Sequence, residues 1–468
     1  MTDLIVRGGT VVTASGSARA DLAIEGGRIV AVGPDLGSDA RQVVEASGLL
    51  VLPGAVDAHT HTRVASDEEP DRFFQDSVAA AFGGTTTFLA FNNPGTAVTS
   101  TAATPSPVAL SLLAGLDAWR AGTDSDAAVD YGLNLVIRGS HEDPIAELPR
   151  AIERGVPTFK AFMVYDFAID DRTLYRALAT AGAYGGMLQV HCENAVVLEA
   201  LTTRHLAAGE TAPRFHASSR PPYVEAEATA RAVAMARAAR APMYVVHLSC
   251  REALEAVRAG RVDGLPVYAE TCPHYLTLDE SRYDAPPEEA AKYVISPPLR
   301  GPGQPDALWD GLADGSLSVV GTDHVADRLA VEKQGGRPSF DRISNGGPGI
   351  ETLLTLVYSE GVAAGRISLE RMVDVLSTTP ARLFGLGSKG ALEVGRDADF
   401  VLFDPSSRRT IRQADLHHTS DYTPYEGRQV SGAVRSVAVR GQWVVRDGAF
   451  VGRRGHGQFV ERELDRLV

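Results

Sequence analysis

The segment Val56-Asp57-Ala58-His59-Thr60-His61 decides how this chain is interpreted, because an apolar strand ends there in two histidines. Alternate residues of a β-strand point to the same side, so His59 and His61 can bind one metal ion. A single His-x-His pair also arises by chance in a chain with 12 histidines in 468 residues. The rest of the sequence therefore has to show whether this pair belongs to a site.

Seven further apolar runs follow this strand, and Ala-rich stretches with helical spacing separate them. The eight predicted strands are Val51–Ala58, Thr86–Phe91, Tyr131–Ile137, Thr158–Val164, Met187–His191, Met243–Leu248, Leu265–Glu270 and Leu317–Gly321. Alternation of strands and helices predicts parallel βαβ units. Eight such units favour an α/β fold of the (β/α)8 TIM-barrel type, with a doubly wound open sheet as the alternative.

Short strands broken by glycine turns stand at both ends of the chain, among them Asp21–Ile24 and Asp399–Phe403. Chain termini often lie close together, so both ends are predicted to form one small β-sandwich domain. Two separate β-caps are the alternative. The expected division assigns residues 1–52 and 390–455 to the sandwich, residues 53–389 to the barrel and residues 456–468 to a polar C-terminal tail.

Residues able to bind metal also stand at the carboxyl ends of other predicted strands. They are Lys160, His191, His247 and Asp323. A closed barrel gathers these strand ends around one mouth, where active sites lie. Each of these residues alone is compatible with a structural role. Together with the first pair, however, four histidines, a lysine and an aspartate fit a two-metal site.

Lys160 stands inside an apolar strand, where burial disfavours the ammonium form and lowers the lysine pKa. The neutral amine can then react with carbon dioxide to give a carbamate, whose two oxygens can bridge two metals. A lysine in a buried ion pair is the alternative. Asp323 can hold one metal, accept a proton and pass it to a leaving nitrogen.

Charge and cysteine content exclude several classes of protein. Lys plus Arg is 45 and Asp plus Glu is 59, which gives a formal net charge of −14. Nucleic acids and anionic membranes require basic surfaces, and no apolar run approaches the length of a bilayer span. Three cysteines without CxxC spacing are typical of reduced thiols. We therefore expect a cytoplasmic protein that acts on a small molecule, with no nucleic-acid or membrane partner.

Ten motifs stand along the chain in a fixed order. They are His59–His61, Phe159–Tyr165, Val190–Asn194, Ser219–Pro222, Val246–Ser249, Glu270–Pro273, Lys292–Arg300, Gly321–His324, Asn345–Glu351 and Asp421–Gly427. With these motifs the chain resembles the cyclic amidohydrolases of the dihydropyrimidinase and hydantoinase family over nearly its whole length. The resemblance implies a zinc-dependent enzyme that opens hydantoins or dihydropyrimidines to N-carbamoyl amino acids. It also implies a homo-oligomer, a tetramer or alternatively a dimer.

The resemblance further implies which residues hold two zinc ions per subunit. The six ligands would be His59, His61, Lys160, His191, His247 and Asp323. Lys160 would be carbamylated to N6-carboxylysine and bridge the two ions. Manganese or cobalt would suit the same donors.

Roles at the substrate also follow from the resemblance. Tyr165 would donate its hydroxyl to the oxyanion of the tetrahedral intermediate. Ser296 and Asn345 would present backbone groups to the ring. The alternatives are an aromatic residue at the barrel rim for Tyr165, and turn residues for the other two.

One position departs from the hydantoinase pattern. Arg63 creates the sequence His-x-His-x-Arg, which is similar to dihydroorotases, where the arginine helps to bind a substrate carboxylate. Asn92 and Asn93 are similar to an asparagine that those enzymes use for the same group. The alternative is an ion pair between Arg63 and an acid of the loop Asp67–Glu69. Dihydroorotase- or allantoinase-like ring opening therefore stays open, and a non-catalytic assembly protein on this scaffold is a remote alternative.

Overall fold

A computed structural model describes residues 2–92, 111–139, 143–333 and 339–465. The first strands are β1 (Thr2–Thr13), β2 (Gly16–Glu25), β3 (Arg28–Gly33), β4 (Ala40–Glu45) and β5 (Leu50–Pro53). The middle strands are β6 (Ala55–Thr60), β7 (Thr85–Asn92), β8 (Asp130–Val136), β9 (Thr158–Phe162), β10 (Met187–His191), β11 (Met243–Val245), β12 (Val267–Thr271) and β13 (Val319–Val320). The last strands are β14 (Phe400–Thr410), β15 (Gln429–Val439), β16 (Gln442–Arg446) and β17 (Ala449–Phe450).

The α-helices lie mostly between the middle strands. They are α1 (Arg72–Phe82), α2 (Leu112–Thr123), α3 (Leu148–Glu153), α4 (Asp171–Ala183), α5 (Ala195–Ala207), α6 (Arg214–Ser218), α7 (Pro222–Ala239), α8 (Arg251–Val262), α9 (Pro273–Thr277), α10 (Pro287–Ala290), α11 (Gln304–Ala313), α12 (Leu353–Val357), α13 (Leu369–Val373) and α14 (Thr379–Leu383). No helix in the described ranges is long and apolar enough to cross a lipid bilayer.

Strands β6 to β13 form one sheet in which each strand lies beside the next strand of the chain. Neighbouring strands of this sheet pair in parallel, as between Leu188 of β10 and Phe159 of β9. A parallel bridge between Thr60 and His324 brings the two edges of this sheet together. The sheet is thus a nearly closed barrel, and the predicted (β/α)8 architecture is confirmed.

The first predicted strand, Val51–Ala58, is divided into β5 and β6 at Gly54. A side chain at position 54 would place its Cβ only 2.0 Å from the Thr86 hydroxyl oxygen. Only glycine allows the chain to pass so close to β7 as it moves from one sheet into the other. The apolar run Val51–Ala58 therefore contributes β5 to the sheet formed by the chain ends and β6 to the barrel.

Both ends of the chain contribute to the second sheet, as predicted. Strand β5 pairs antiparallel with β14, so that Leu52 lies opposite Val401. The Lys389 ammonium joins this region to the barrel, because it donates to Asp130 at 2.5 Å and to Asp399 at 2.8 Å. Burial opposes the charged form of Lys389, but the surrounding carboxylates raise its pKa.

The segment after Gly455 differs from the polar extension expected there. The backbone N–H of Val460 donates to the Tyr131 carbonyl at 2.8 Å, which fastens the segment to β8. Leu464 is buried in a cluster with Tyr244 and Phe384, next to residues from the amino ends of several barrel strands. The segment fills this end of the barrel and leaves the carboxyl ends of the strands for a site.

Candidate active site

The six predicted ligands all stand at the carboxyl ends of barrel strands. Two lie at the end of β6 and one each on β9 and β10, while the remaining two follow β11 and β13 closely: His59, His61, Lys160, His191, His247 and Asp323. Five are buried, and the His61 side chain is 16% exposed. The barrel therefore brings residues from distant parts of the sequence to one mouth.

The side chains of His59, His61 and Asp323 lie close together, and His247 stands beside them. His59 Nε2 and His61 Nε2 lie 3.2 Å and 3.1 Å from Asp323 Oδ1. Ligand atoms of His59, His247 and Asp323 all lie within 4.8 Å of one another. This spacing is compatible with donors that surround one cation.

His191 extends the cluster on the far side of His247 from His59. The ring centroids of His191 and His247 are 4.5 Å apart, and those of His247 and His59 are 5.3 Å apart. Burial holds the pKa of His247 well below its ordinary value, and burial lowers the pKa of His61 to about 4. The imidazoles of His61 and His247 are therefore neutral at pH 7, which is the form that binds metal.

Lys160 lies among these residues and is fully buried. Its Nζ has no hydrogen-bond partner among the described residues and lies 4.7 Å and 4.8 Å from the ring centroids of Phe91 and Phe162. Burial lowers its pKa to about 8. The alternative of a buried ion pair is not observed within the described residues. An isolated buried ammonium is unfavourable, whereas a neutral amine or a metal-bridging carbamate fits this environment.

Three residues of the site have left-handed backbone conformations. Tyr165, His247 and Asp323 have φ angles of 79°, 38° and 50°. Such conformations cost about 1–3 kcal/mol each in residues other than glycine and concentrate at functional sites. They also explain why β11 ends before His247, although the sequence predicts a strand to Leu248.

Tyr165 lies beside the other predicted substrate-binding residues. Burial raises its pKa, while the Arg220 guanidinium and the polar side chains of Ser296 and Asn345 act in the opposite direction. The balance leaves the pKa above its ordinary value, so the Tyr165 hydroxyl keeps its proton at neutral pH. Its ring centroid lies 5.4 Å from that of His191, at the edge of the proposed ligand cluster.

Comparison with known proteins assigns the family. The model of the amidohydrolase family matches residues 50–444. A D-hydantoinase of Geobacillus stearothermophilus is 42% identical over 471 aligned residues, which cover 99% of this chain and 97% of that protein. The chain belongs to the amidohydrolase family. The predicted resemblance to dihydropyrimidinases and hydantoinases is thus confirmed.

Solved structures agree with this assignment. The crystal structure of a dihydropyrimidinase from Brevibacillus agri matches with a TM-score of 0.92 at 42% identity, and 99% of each chain is covered. An L-hydantoinase from Arthrobacter aurescens matches with a TM-score of 0.89 at 29% identity, covering 99% of this amidohydrolase and 100% of that chain. Proteins named D-hydantoinase and a protein named L-hydantoinase therefore share this fold.

The amidohydrolase orients His59 through Glu270, a residue to which the sequence analysis assigned no role. The Glu270 carboxylate bonds to His59 Nδ1, which leaves Nε2 for the site. Tyr244 donates its hydroxyl to Glu270 at 2.9 Å, and the His247 backbone N–H donates at 3.1 Å. The sequence signal for this residue is an acidic side chain at the end of the apolar run Leu265–Glu270.

His191 is oriented in a similar way. Its Nε2 lies 2.7 Å from Glu193 Oε2, and Arg220 donates to the same oxygen at 2.6 Å. Burial alone would raise the pKa of Glu193, but Arg220 and His191 lower it to about 2. With Nε2 engaged, His191 has Nδ1 to offer to a metal. Glu193 and Arg220 also stand in motifs that carried the resemblance, although neither received a role.

Asp57 connects the first and last barrel strands behind the ligands. Its carboxylate accepts from the backbone N–H of Thr322 at 3.0 Å and from that of His59 at 3.2 Å. Burial raises its pKa to about 6. These bonds hold the backbone beside Asp323 at a fixed distance from β6.

Arg63 forms ion pairs, but not with the loop acids that the sequence suggested. Its guanidinium donates to Asp327 at 2.5 Å and to Glu332 at 3.3 Å, both in the segment that follows β13. Asn92 is buried, and its side-chain oxygen accepts from the Val136 backbone at 2.9 Å. Asn93 lies outside the described residues.

We expect the variant Glu270→Gln to bind its metal about 10–100-fold more weakly than the wild type, the usual effect of losing the carboxylate behind a histidine ligand. Metal content after dialysis against a graded series of chelator concentrations measures this change. Tyr244→Phe is the matched control, since it removes one hydrogen bond to Glu270 and leaves the carboxylate in place. Unchanged metal retention in Glu270→Gln would show that Glu270 does not support His59.

Proposed function

We propose that this cyclic amidohydrolase uses two zinc ions per subunit to open hydantoins or dihydropyrimidines to N-carbamoyl amino acids. One observation carries the proposal. Four imidazoles, one carboxylate and a buried lysine, which has no hydrogen-bond partner in the described part of the chain, meet at the barrel mouth. The relatives of this chain are named hydantoinases and dihydropyrimidinases.

The donor set fits the proposed metals. The six ligands are those predicted from the sequence, and N6-carboxylysine at Lys160 would bridge the ions. Nitrogen and oxygen donors of this kind are the ligands that catalytic zinc sites use. Metal ions bound here supply Lewis acidity, which polarises a carbonyl group and lowers the pKa of water.

Asp323 is the proposed proton carrier. Burial alone would raise its pKa, but the adjacent His59 and His61 hold it well below its ordinary value. The carboxylate is therefore ionised at neutral pH. It can accept a proton from the attacking water and deliver it to the departing ring nitrogen.

Tyr165 is the proposed donor to the developing oxyanion. Its raised pKa keeps the hydroxyl protonated, and its strained backbone fixes the direction of the ring. A donor that is already in place stabilises the charge that appears as the carbonyl becomes tetrahedral. Ser296 and Asn345 lie beside this hydroxyl, where their backbone groups are proposed to bind the ring.

A substrate panel tests the proposal. Purified protein with measured metal content is assayed on hydantoin, dihydrouracil, allantoin and dihydroorotate. We expect about two metal ions per subunit and turnover of hydantoin or dihydrouracil. Activity confined to dihydroorotate would favour the acid-bearing alternative. A folded protein without metal would favour the assembly-protein alternative.

The ion pairs of Arg63 favour a structural role over binding of a substrate carboxylate. We therefore expect Arg63→Ala and Asp327→Asn to lower kcat/KM by similar factors for hydantoin and for dihydroorotate. Steady-state kinetics on both substrates measure this. A loss of about 100-fold on dihydroorotate alone, and only in Arg63→Ala, would instead assign the guanidinium to a substrate carboxylate.

We propose a cytoplasmic protein, because its three cysteines are all free and buried. We also propose that it forms a homo-oligomer, a tetramer or a dimer. Its proposed substrate is a small cyclic ureide or imide.

A further inference from the structure

Arg138 follows β8 at the carboxyl end of the barrel and lies on the inward side of that strand. Asn134 of β8 donates across the barrel interior to a carbonyl of β6 at 3.3 Å, so it points inward. Val136 lies in register with Lys160, whose carbonyl accepts from the backbone N–H of Ile137 at 2.8 Å, so the ladder continues to this point. Alternate residues of a strand share one side. Asn134, Val136 and Arg138 therefore form an inward series that ends at the barrel mouth.

The aromatic surroundings of Arg138 connect it to the proposed site. Its guanidinium lies over the Phe167 ring, 5.5 Å from the ring centroid. The Phe167 centroid lies 4.9 Å from that of Phe162 and 5.4 Å from that of Tyr165, the proposed oxyanion donor. The Phe162 centroid in turn lies 5.5 Å from that of the proposed ligand His191. One wall of aromatic rings therefore joins the guanidinium to the proposed reaction centre.

The Arg138 side chain is buried without a counter-ion. The residue is 7% exposed, and its Nε has no hydrogen-bond partner in the described ranges. Over the same ranges, no carboxylate oxygen lies within 4.0 Å of the guanidinium. Burial lowers the pKa of Arg138, and the charge of the exposed Asp166 opposes this only in part. A buried cation of this kind is unfavourable alone and is suited to an anion that a ligand brings.

Two other arginines near the mouth already have carboxylate partners. Arg63 pairs with Asp327 at 2.5 Å, and Arg220 pairs with Glu193 at 2.6 Å. Their charges are neutralised within the subunit, whereas the Arg138 donors remain available. A guanidinium presents a planar fork of N–H groups that matches a carboxylate.

We propose that Arg138 is a specificity-determining residue that binds a carboxylate on the side arm of the substrate ring. The inference rests on the proposed function and narrows it to hydantoins or dihydropyrimidines with a carboxyalkyl substituent. The products would be N-carbamoyl derivatives of acidic amino acids. The methylene groups of the arm would lie against the rings of Phe162 and Phe167, which separate the guanidinium from the proposed metal ligands.

Matched acid and amide substrates test the proposal. Hydantoin-5-acetic acid and hydantoin-5-propionic acid are each compared with the corresponding neutral primary amide. We expect the wild type to favour an acid over its amide by about 10–100-fold in kcat/KM, the usual worth of a charge-assisted pair. In Arg138→Gln this ratio should fall to near one. Arg63→Gln is the matched control, because its guanidinium is already paired and its loss should leave the ratio at the wild-type value.

A binding measurement on the purified wild-type enzyme covers the case in which a variant fails to fold. Calorimetric titration with N-carbamoylglutamate should give a dissociation constant about 10–100-fold lower than titration with the neutral N-carbamoylglutamine. Arg138→Lys keeps the charge without the planar fork and should retain part of this difference.

Two results would overturn the role of Arg138. One is a wild type that treats acid and amide alike in both kinetics and binding. The other is a preference for the acid that persists in Arg138→Gln. The proposed function fails separately, if no hydantoin is opened while the difference in binding stands.

Discussion

Replacing Lys160 with alanine should lower kcat for hydantoin hydrolysis by on the order of 10³-fold or more, because the variant lacks the group proposed to bridge two metal ions. The metal content should fall below the wild-type value in parallel. Steady-state kinetics and elemental analysis of the same preparation measure both effects. A variant that retains two metals and near wild-type turnover would refute the carbamate proposal.

Two comparisons distinguish this role from general damage to the core. Lys333→Met is a matched control, since Lys333 is also fully buried, with its pKa lowered by burial to about 8. Its ammonium donates to the carbonyls of Val294 and Ser344, so its loss should leave metal content intact. Conversely, a small carboxylate such as acetate should partly restore Lys160→Ala and leave Lys333→Met unchanged.

The same carbamate predicts how metal-depleted wild-type protein should be reloaded. Only the neutral amine of Lys160 reacts with carbon dioxide, and its lowered pKa of about 8 means that this form increases as the pH rises through 8. At a fixed concentration of dissolved carbon dioxide, reloading should therefore be roughly fivefold faster at pH 8 than at pH 7. A rate independent of carbon dioxide would argue against the modification.

The variant Asp323→Asn should retain part of its metal and lose turnover by about 10³-fold. The amide oxygen can still act as a ligand, but an amide cannot accept the proton that the reaction must move. The ratio of kcat to bound metal measures this separation. Asp327→Asn is the control, because Asp327 is also buried and follows Asp323 closely, yet belongs to the Arg63 ion pair. Turnover per metal within tenfold of the wild type in Asp323→Asn would assign the proton transfer to another group.

Much of this arrangement was predictable, because strand periodicity and residue chemistry are local properties. An apolar run that ends in His191 or His247 indicates a strand end, and a barrel brings strand ends together whatever their separation in sequence. The six predicted ligands accordingly stand at one mouth. Lys160 could also be predicted as a site residue from local sequence, because a lysine is rarely buried in an apolar strand unless it is paired or takes part in chemistry.

The remaining features depend on contacts that no local pattern reveals. The partners of Arg63 lie more than 260 positions away, so a nearby acidic loop was the natural but mistaken expectation. Leu464 is one of a few apolar residues scattered among charged residues after Gly455, so a buried segment has only a weak signal in the sequence.

The pairing of β5 with β14 has a consequence for synthesis of the chain on the ribosome. Roughly 350 residues separate the two strands, and translation at about 5–20 residues per second needs on the order of 20–70 s to make them. During that time one edge of β5 has no neighbour and is open to pairing with other nascent chains. Recombinant yield should therefore depend on growth temperature and on chaperone supply more strongly than the stability of the finished fold suggests.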